Sequence, residues 1–138
     1  MIILDTNVLS EWQRPLPDAR AVAWLKQQMR SDLFTTAITR GEMLYGARLL
    51  PEGRRRTLLL QEIEAIFSQD MAGHVLPYDA AAADAFAEIA VRCRALGRPT
   101  GQADMMIAGI VRAHGATLAT RNVRDFADCG IALVDPWH

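Results

Sequence analysis

The chain has 138 residues, 51% of them hydrophobic and 22% charged, with a formal net charge of −1. These values fit one globular domain and exclude a protein that coats nucleic acid through bulk positive charge. No apolar run approaches the ~20 residues of a transmembrane helix, so membrane contact is not expected. Because no basic segment precedes the first apolar run, we expect no secretory signal and a cytoplasmic location. The cysteines, Cys93 and Cys129, lack metal-ligand spacing and are predicted to be buried free thiols.

The predicted elements begin with a buried strand at 2–5 and a turn or short helix through residue 12. A helix at 18–30 follows, capped by Asp18, with an inward face formed by Val22, Leu25 and Met29. The next elements are a strand at 33–37, a helix from 39 to about 50, a helix at 52–68 and a short strand at 74–77. An alanine-rich helix capped by Asp79 runs to about residue 96, where Gly97 and Pro99 stop it. A helix at 100–114, a strand at 116–120, a short helix and a strand at 131–134 complete the pattern.

Strands that alternate with helices predict right-handed crossovers and a parallel sheet. No repeat, linker or low-complexity segment divides the chain. The predicted fold class is therefore α/β: a single doubly wound domain spanning residues 1–138, with a mostly parallel sheet of about five strands.

Asp5 directly follows the first predicted strand. In open α/β sheets the carboxyl ends of the strands form the ligand crevice, so an acid there is a candidate site residue. Asp is also a common cap, and Asp5 could serve only the segment that starts near Asn7. From Asp5 alone, the structural and the functional interpretation are equally supported.

Glu42 has a strong structural interpretation. Thr39-Arg40-Gly41-Glu42 matches the capping box, in which the glutamate reaches back to the amide of the cap residue. The same helix start follows the second predicted strand, which places the Glu42 carboxylate at the crevice of Asp5. Capping and metal binding are not exclusive.

Asp104 lies in the first turn of a predicted helix, where the helix dipole favours an anion. Its neighbours Ala103, Met105 and Met106 are apolar, so the charge must emerge from hydrophobic surroundings. A buried carboxylate without a partner neutralises or destabilises the fold, and a divalent cation is a natural partner.

The fourth predicted strand ends in Thr120-Arg121-Asn122, again at a carboxyl end. Asn122 with Asp125 three residues later resembles a helix cap, and Asp125 could alternatively complete a cluster of four acids. We rank four residues second as site candidates: Asn7, Thr120, Asn122 and Asp125.

An oxygen-only ligand set favours Mg²⁺, with Mn²⁺ as an alternative. We expect Asp5 and Asp104 to hold the ion, with Glu42 assisting directly or through water. Such an ion can activate water and stabilise charge on attacking and leaving oxygens, which suits phosphoryl or phosphodiester substrates. The histidines add little, because none is placed in a ligand or catalytic pattern.

Four short motifs occur in order along the chain: Asp5-Thr6-Asn7, Thr39-x-x-Glu42, Ala103-Asp104-x-x-Ile107-Ala108 and Thr120-Arg121-Asn122. Together they resemble the PIN-domain ribonucleases and, more narrowly, the VapC toxins. The closing Asp135-Pro136-Trp137-His138 is similar to the FitB branch. The resemblance implies a PIN-like fold and a toxin of a type II toxin–antitoxin system, a Mg²⁺-dependent endoribonuclease inhibited by a cognate antitoxin similar to VapB or FitA.

The resemblance also implies catalytic roles for Asp5, Glu42 and Asp104. Related toxins often have an Asp after Thr-Arg, where this chain has Asn122. Asparagine brings no charge, which leaves one or two metal ions open and makes Asp125 the alternative acid.

Other α/β proteins with acids at strand ends fit less well. A receiver domain would have a late lysine, and Lys26 is the single lysine here; a haloacid-dehalogenase-like phosphatase would have an acid in place of Asn7. No glycine-rich dinucleotide loop or P-loop is present. The remaining alternative is a catalytically inert PIN-fold module that binds RNA or protein, and metal-dependent cleavage separates the two.

Of the 15 basic residues, all but Lys26 are arginine, which genomic base composition explains as well as function does. Arg121 and Arg124, beside the end of the fourth strand, are predicted to bind RNA phosphates, with 54–56 as an outer patch. The apolar surface predicts a two-fold homodimer and a groove for the antitoxin, resting on Trp12, Trp24, Trp137, Leu58, Leu59, Leu60, Ile63 and Ile66. The alternative is that these helices pack on both sides within one monomer.

Overall fold

A computed structural model describes residues 1–98 and 100–138. The strands are β1 Ile2–Leu4, β2 Leu33–Thr36, β3 Val75–Leu76, β4 Thr117–Ala119 and β5 Ala132–Val134. The helices are α1 Thr6–Trp12, α2 Ala19–Lys26, α3 Ala37–Arg48, α4 Arg54–Ala65, α5 Ala80–Ala95, α6 Gln102–Ala113 and α7 Val123–Phe126. None of the described helices combines the length and the hydropathy needed to cross a membrane.

The five strands form one sheet in the order β3-β2-β1-β4-β5, and every pair is parallel. This confirms the predicted α/β fold, with a sheet that is fully rather than mostly parallel. Because β1 pairs with both β2 and β4, the chain segments that follow these three strands emerge side by side at the carboxyl edge.

Helices cover both faces of the sheet, because consecutive strand residues enter two different cores. In β1, Ile3 belongs to the core formed with α5 and α6, whereas Leu4 belongs to the core formed with α1, α3 and α4. Leu118 and Ala119 divide in the same way in β4. Strands buried on both faces produce the continuous apolar runs that predicted them.

The contact between α5 and α6 depends on a glycine. A Cβ atom at Gly109 would lie 2.6 Å from the Ala82 carbonyl oxygen and 3.3 Å from the Phe86 Cβ atom. No side chain larger than hydrogen fits there without moving one helix. The two helices therefore approach backbone to backbone.

Helix α2 is shorter than predicted, because it ends at Lys26 rather than near residue 30. Met29, expected on the inward face, has extended backbone and is 74% exposed, so no packing extends the helix that far. A 3₁₀ turn at Arg30–Asp32 leads into β2 instead. Both predicted aspartate caps are confirmed: Asp18 accepts from the amide of Arg20, and Asp79 from the amide of Ala82.

Helix α3 begins two residues earlier than predicted. Its N-cap is Thr36, whose hydroxyl oxygen accepts a hydrogen bond from the amide of Thr39 at 3.1 Å. Thr36 is the last residue of β2 and already extended, so the chain turns directly from strand to helix. The predicted capping box of Thr39 and Glu42 is therefore wrong, since Thr39 lies inside the helix.

Two other helices are shorter than predicted, α4 at its end and α6 at its start. Helix α4 ends at Ala65, and a π-helical turn at Ile66–Asp70 continues from it. Helix α6 starts after Gly101 instead of at Thr100, and no side chain caps it. At the end of α5, Gly97 has φ +66°, and the amide of Arg98 donates to the Cys93 carbonyl, which confirms the predicted glycine stop. The second predicted stop residue, Pro99, lies outside the described residues.

Both cysteines are buried and free, as predicted. Burial, together with the neighbouring Cys93 thiol, raises the pKa of Cys129 to about 12. Among the apolar residues behind the dimer prediction, Ile63, Ile66 and Trp137 are buried in the core, whereas Leu58 is 46% exposed. The homodimer stays a prediction.

Candidate active site

The site forms where β1 and β4 end next to each other. The amide of Asp5 donates to the Ala119 carbonyl at 3.0 Å, which continues the parallel ladder by one residue. Asp5 and Thr120 are therefore neighbours, and the Thr120 hydroxyl donates to Asp5 Oδ2 at 2.7 Å. The other carboxylate oxygen, Oδ1, accepts from the amide of Thr6 at 2.8 Å, so Asp5 also caps α1. Asp5 therefore occupies both predicted positions: it caps α1, and it lies at the carboxyl edge of the sheet.

Asp5 is only 4% exposed, and burial is the largest influence on its acidity. Burial raises the pKa of Asp5 above its ordinary value, and the charge of Glu42 raises it further. Hydrogen bonds from Thr120, Thr6 and Asn7 act in the opposite direction because they stabilise the carboxylate. The side-chain amide of Asn7 supplies the weakest of these, at 3.3 Å from Asp5 Oδ2.

Glu42 is held by a hydroxyl rather than by a helix cap. The Thr6 hydroxyl donates to Glu42 Oε1 at 2.8 Å and lies 3.2 Å from the Thr39 hydroxyl oxygen. Thr6 therefore contacts Asp5 through its amide and Glu42 through its side chain. Thr6 belongs to the Asp5-Thr6-Asn7 motif, but the sequence assigns it no role, because a single hydroxyl donor leaves no periodic pattern.

Asp104 reaches the same place from the third position of α6. Its half-buried side chain accepts no hydrogen bond and forms no ion pair with any described residue. Burial raises the pKa of Asp104 to about 6, with further contributions from the charges of Asp5, Glu42 and Asp125. Asp5, Glu42 and Asp104 are therefore close enough to repel one another, as expected for acids that share one site.

The second-rank residues divide into two groups. Asn7 and Thr120 lie within the site, because the Asn7 amide donates to both Asp5 and Thr120. Asn122 is exposed and occupies the N-cap position of α7, as predicted, but its side chain forms no capping hydrogen bond with a described residue. The backbone amide of Asn122 donates to the Thr120 hydroxyl at 3.0 Å instead. Asp125 is exposed in α7, and its negative charge contributes to the raised pKa of Asp104.

Arg121 and Arg124 are both exposed beside this edge, and neither forms an ion pair with a described residue. The amide of Arg121 donates to Asn7 Oδ1 at 3.1 Å, which ties the backbone of Arg121 to the acidic residues. Its guanidinium carbon lies 5.0 Å from the centre of the Trp137 ring. The predicted outer patch, 54–56, opens α4 and has no described hydrogen bond to the acids.

Asp5, Glu42 and Asp104 are the candidate ligands for a divalent cation. Within the described residues, no three acidic, histidine or cysteine side chains converge closely enough to hold one ion together. Mg²⁺ does not need such a cage, because it is commonly held by one or two carboxylates and several waters. Asp104 has no described hydrogen-bond donor, and burial, followed by repulsion from Asp5 and Glu42, raises its pKa. A hydrated divalent ion relieves both conditions, so the residues fit the ion.

A model of the PIN domain matches residues 2–131. The chain belongs to the PIN-domain family. It is 37% identical over 138 residues to the VapC ribonuclease Y4jK of Sinorhizobium fredii, covering 100% of this chain and 99% of that protein. The toxin FitB of Neisseria gonorrhoeae is also 37% identical, with the same coverage. This PIN-domain chain is therefore a member of the VapC toxin family, related to FitB, as the motifs predicted.

The fold of this PIN domain agrees with solved relatives. A structure of FitAB bound to an IR36 DNA fragment has a TM-score of 0.91 and 38% identity, covering 100% of this chain and 96% of that chain. DNA-bound VapBC from Salmonella typhimurium has a TM-score of 0.80 and 28% identity, over 98% and 97% of the two chains. The likeness thus extends over the sheet and all the helices that carry the site.

Proposed function

We propose that this PIN domain is the toxin of a type II toxin–antitoxin system and cleaves RNA endonucleolytically with a divalent metal ion, Mg²⁺ or alternatively Mn²⁺. Residues 1–138 act as one nuclease domain in the cytoplasm, where the RNA is. Relatives named as a VapC ribonuclease and as a tRNA(fMet)-specific endonuclease support RNA as the substrate class. The first matches the whole chain, and the second is 35% identical over 74% of it.

One observation supports the proposal most directly: Asp5, Glu42 and Asp104 lie close enough at the carboxyl edge of a parallel sheet for their charges to raise the pKa of Asp5 and of Asp104, and no described basic residue neutralises them. No arginine, lysine or histidine among the described residues forms an ion pair with Asp5, Glu42 or Asp104. Acids that are buried or half-buried near one another lose stability when they are all ionised, unless a cation binds between them. In a PIN domain, that cation supports nuclease chemistry.

The protein side chains orient the acids before any ion arrives. Thr120 and Asn7 fix one oxygen of Asp5, and Thr6 fixes the other oxygen of Asp5 as well as Glu42. Neither carboxylate oxygen of Asp104 accepts a hydrogen bond from a described residue, which leaves both available for a ligand. When bound, the ion supplies water activation and neutralises charge on the phosphodiester. In our proposal Asp5 and Asp104 hold it, and Glu42 assists by accepting a proton or ordering a water.

Arg121 and Arg124 bind the RNA backbone in this proposal. The chain has a net charge of −1, so attraction for RNA must come from local groups of arginine. Both guanidinium groups are exposed and free of described carboxylates, which leaves their donors available for phosphate oxygens.

The proposed protein partner is a small antitoxin. Relatives with 38% and 28% identity were solved as FitAB and VapBC assemblies, which supports an equivalent partner for this chain. The acidic site offers an explanation of inhibition, because a basic side chain of the antitoxin would satisfy Asp104 and exclude both metal and RNA. A homodimer of the toxin, with a second apolar groove for the antitoxin, completes the proposed assembly.

The test is cleavage of end-labelled bacterial RNA by the purified chain with Mg²⁺, Mn²⁺ or EDTA. We expect cleavage that requires the ion and is lost in Asp104→Asn and Asp5→Asn. Asp84→Asn, an exposed acid of α5, is the matched control and should cleave normally. Full activity of Asp104→Asn would overturn the site assignment. Metal-independent RNA binding without cleavage by the wild type would favour the inert binding module instead.

A further inference from the structure

The turn after β5 brings a tryptophan beneath the arginine that follows β4. Ala119 pairs with Val134, and the amide of Thr120 donates to the Val134 carbonyl at 3.0 Å, so the two strands end together. After β5, Asp135 Oδ1 accepts a hydrogen bond from the amide of Trp137 at 2.9 Å, which closes a tight turn. The turn directs the indole back into the core, where it is 2% exposed.

The Trp137 ring lies under the Arg121 guanidinium, with 5.0 Å between the guanidinium carbon and the ring centre. This is within the ~6 Å range of a cation–π interaction, for which tryptophan is the strongest partner. The arginine is consequently held at two points: its amide is bound to Asn7 Oδ1 at 3.1 Å, and its guanidinium rests on the indole.

An aromatic face and a carboxylate hold an arginine with different consequences. A carboxylate neutralises the charge and occupies the N–H donors, whereas an aromatic face leaves the charge and the in-plane donors available. The chain contains both situations. Arg40 lies 5.5 Å over the Phe67 ring but also forms an ion pair with Glu64 at 3.5 Å. Arg121 has the aromatic contact and no ion pair with a described residue.

We propose that Trp137 is a positioning residue for RNA binding: its ring holds the Arg121 guanidinium beside the acidic site with its charge and donors free for a substrate phosphate. The inference rests on the proposed function and adds a residue to it. Trp137 contacts Arg121 and not the RNA. Arg124 has no aromatic contact within the described residues, so it serves as an arginine that Trp137 does not position.

The first measurement is steady-state cleavage of a labelled random-sequence RNA in Mg²⁺. Trp137→Leu keeps an apolar side chain but removes the ring, and should raise KM about two- to fivefold, the range expected for an exposed cation–π contact, with little change in kcat. Trp137→Phe should restore part of the loss. The double variant Trp137→Leu/Arg121→Gln should have the same KM as Arg121→Gln alone. The double variant Trp137→Leu/Arg124→Gln should have a higher KM than Arg124→Gln alone.

A core control separates positioning from loosened packing. Phe67→Leu also removes a buried ring under an arginine, in a pair already neutralised by Glu64, and should leave KM unchanged. Equal KM increases in Phe67→Leu and Trp137→Leu would overturn the proposal. So would a wild-type KM in folded Trp137→Leu.

A second readout does not depend on cleavage. In the NMR spectrum of the full chain, the ring current of Trp137 should shift the resonance of the Arg121 Nε–H proton upfield. This upfield shift should persist in Trp137→Phe and disappear in Trp137→Leu. A wild-type Arg121 Nε–H resonance without the upfield shift would overturn the proposal. Failure of the wild type to cleave or bind RNA would overturn the proposed function and this inference with it. An active wild type with an unaffected Trp137→Leu would overturn the inference alone.

Discussion

Replacing Asp104 with asparagine should stabilise the metal-free protein at neutral pH while removing its activity. The folded protein raises the pKa of Asp104 from 3.8 to about 6, chiefly through burial and then through Asp5 and Glu42. At about 1.36 kcal/mol per pKa unit, this difference corresponds to about 3 kcal/mol. Because the side chain is only half-buried, solvent screening reduces the expected penalty to about 1–2 kcal/mol.

The helix dipole opposes part of this gain. Asp104 occupies the first turn of α6, where an anion stabilises a helix by about 0.3–1 kcal/mol that asparagine would lose. The expected net stabilisation of Asp104→Asn is therefore about 1 kcal/mol, which corresponds to a rise in Tm of about 2–5 °C for a domain of this size.

The raised pKa of Asp104 determines at which pH Asp104→Asn is more stable than the wild type. With a raised pKa, folded Asp104 retains a proton that the unfolded chain loses between pH 3.8 and about 6. Its contribution to stability is fully present below pH 3.8 and is lost as the pH rises through about 6. Asparagine resembles the protonated acid, so its advantage should be absent near pH 4 and complete above pH 7.

Urea unfolding in EDTA between pH 4 and pH 8, followed by circular dichroism, measures this difference. Asp84→Asn, an exposed acid of α5, is the control and should change stability by less than about 0.5 kcal/mol at every pH. Adding Mg²⁺ should stabilise the wild type more than Asp104→Asn, which reverses or removes the advantage of the variant. An Asp104→Asn protein no more stable than the wild type at pH 8 in EDTA would refute the reasoning.

Three further predictions concern products, binding and assembly. Because no described histidine forms a hydrogen bond or ion pair with Asp5, Glu42 or Asp104, cleavage should leave 5′-phosphate and 3′-hydroxyl ends. An end-group analysis that finds 2′,3′-cyclic phosphates would contradict this. Replacing Arg121 and Arg124 with glutamine should weaken RNA binding and reduce the slope of log affinity against log salt by about 0.7 per arginine; an unchanged slope would remove both residues from the RNA surface. Sedimentation at micromolar concentration should show a homodimer, and a clean monomer would contradict that assembly.

The fold was predictable because its signals are local and repeated. Continuous apolar runs mark strands that are buried on both faces, and aspartates before helices mark their starts, as with Asp18 and Asp79. Boundaries were less predictable where two candidate caps follow each other. Thr36 and Thr39 are both candidate N-caps for α3. Thr36 is the actual N-cap, because its backbone is extended at the end of β2, whereas Thr39 lies within the helix.

The positions of the acidic residues were predictable for a different reason. Parallel strands must end at a common edge, so Asp5 and the start of α3 had to meet, and the apolar neighbours of Asp104 indicated an acid that needs a partner. The hydroxyl of Thr6 was not predictable, because a single hydrogen-bond donor leaves no periodic pattern. The contact of Arg121 with Trp137 depends on strand register and turn geometry, which sequence alone does not determine.

The close packing at Gly109 links the spacing of the acids to a residue outside the site. Gly109 lies five positions after Asp104 in α6, about 7.5 Å along the helix axis. Because a Cβ atom at Gly109 would lie 2.6 Å from the Ala82 carbonyl oxygen of α5, the absence of a side chain here allows α6 to pack this close to its neighbour. An added methyl group would push the helix outward, and the carboxylate at its start would move with it relative to Asp5. The distance between two acids on separate elements thus depends partly on the absence of a side chain about 1.4 helical turns away.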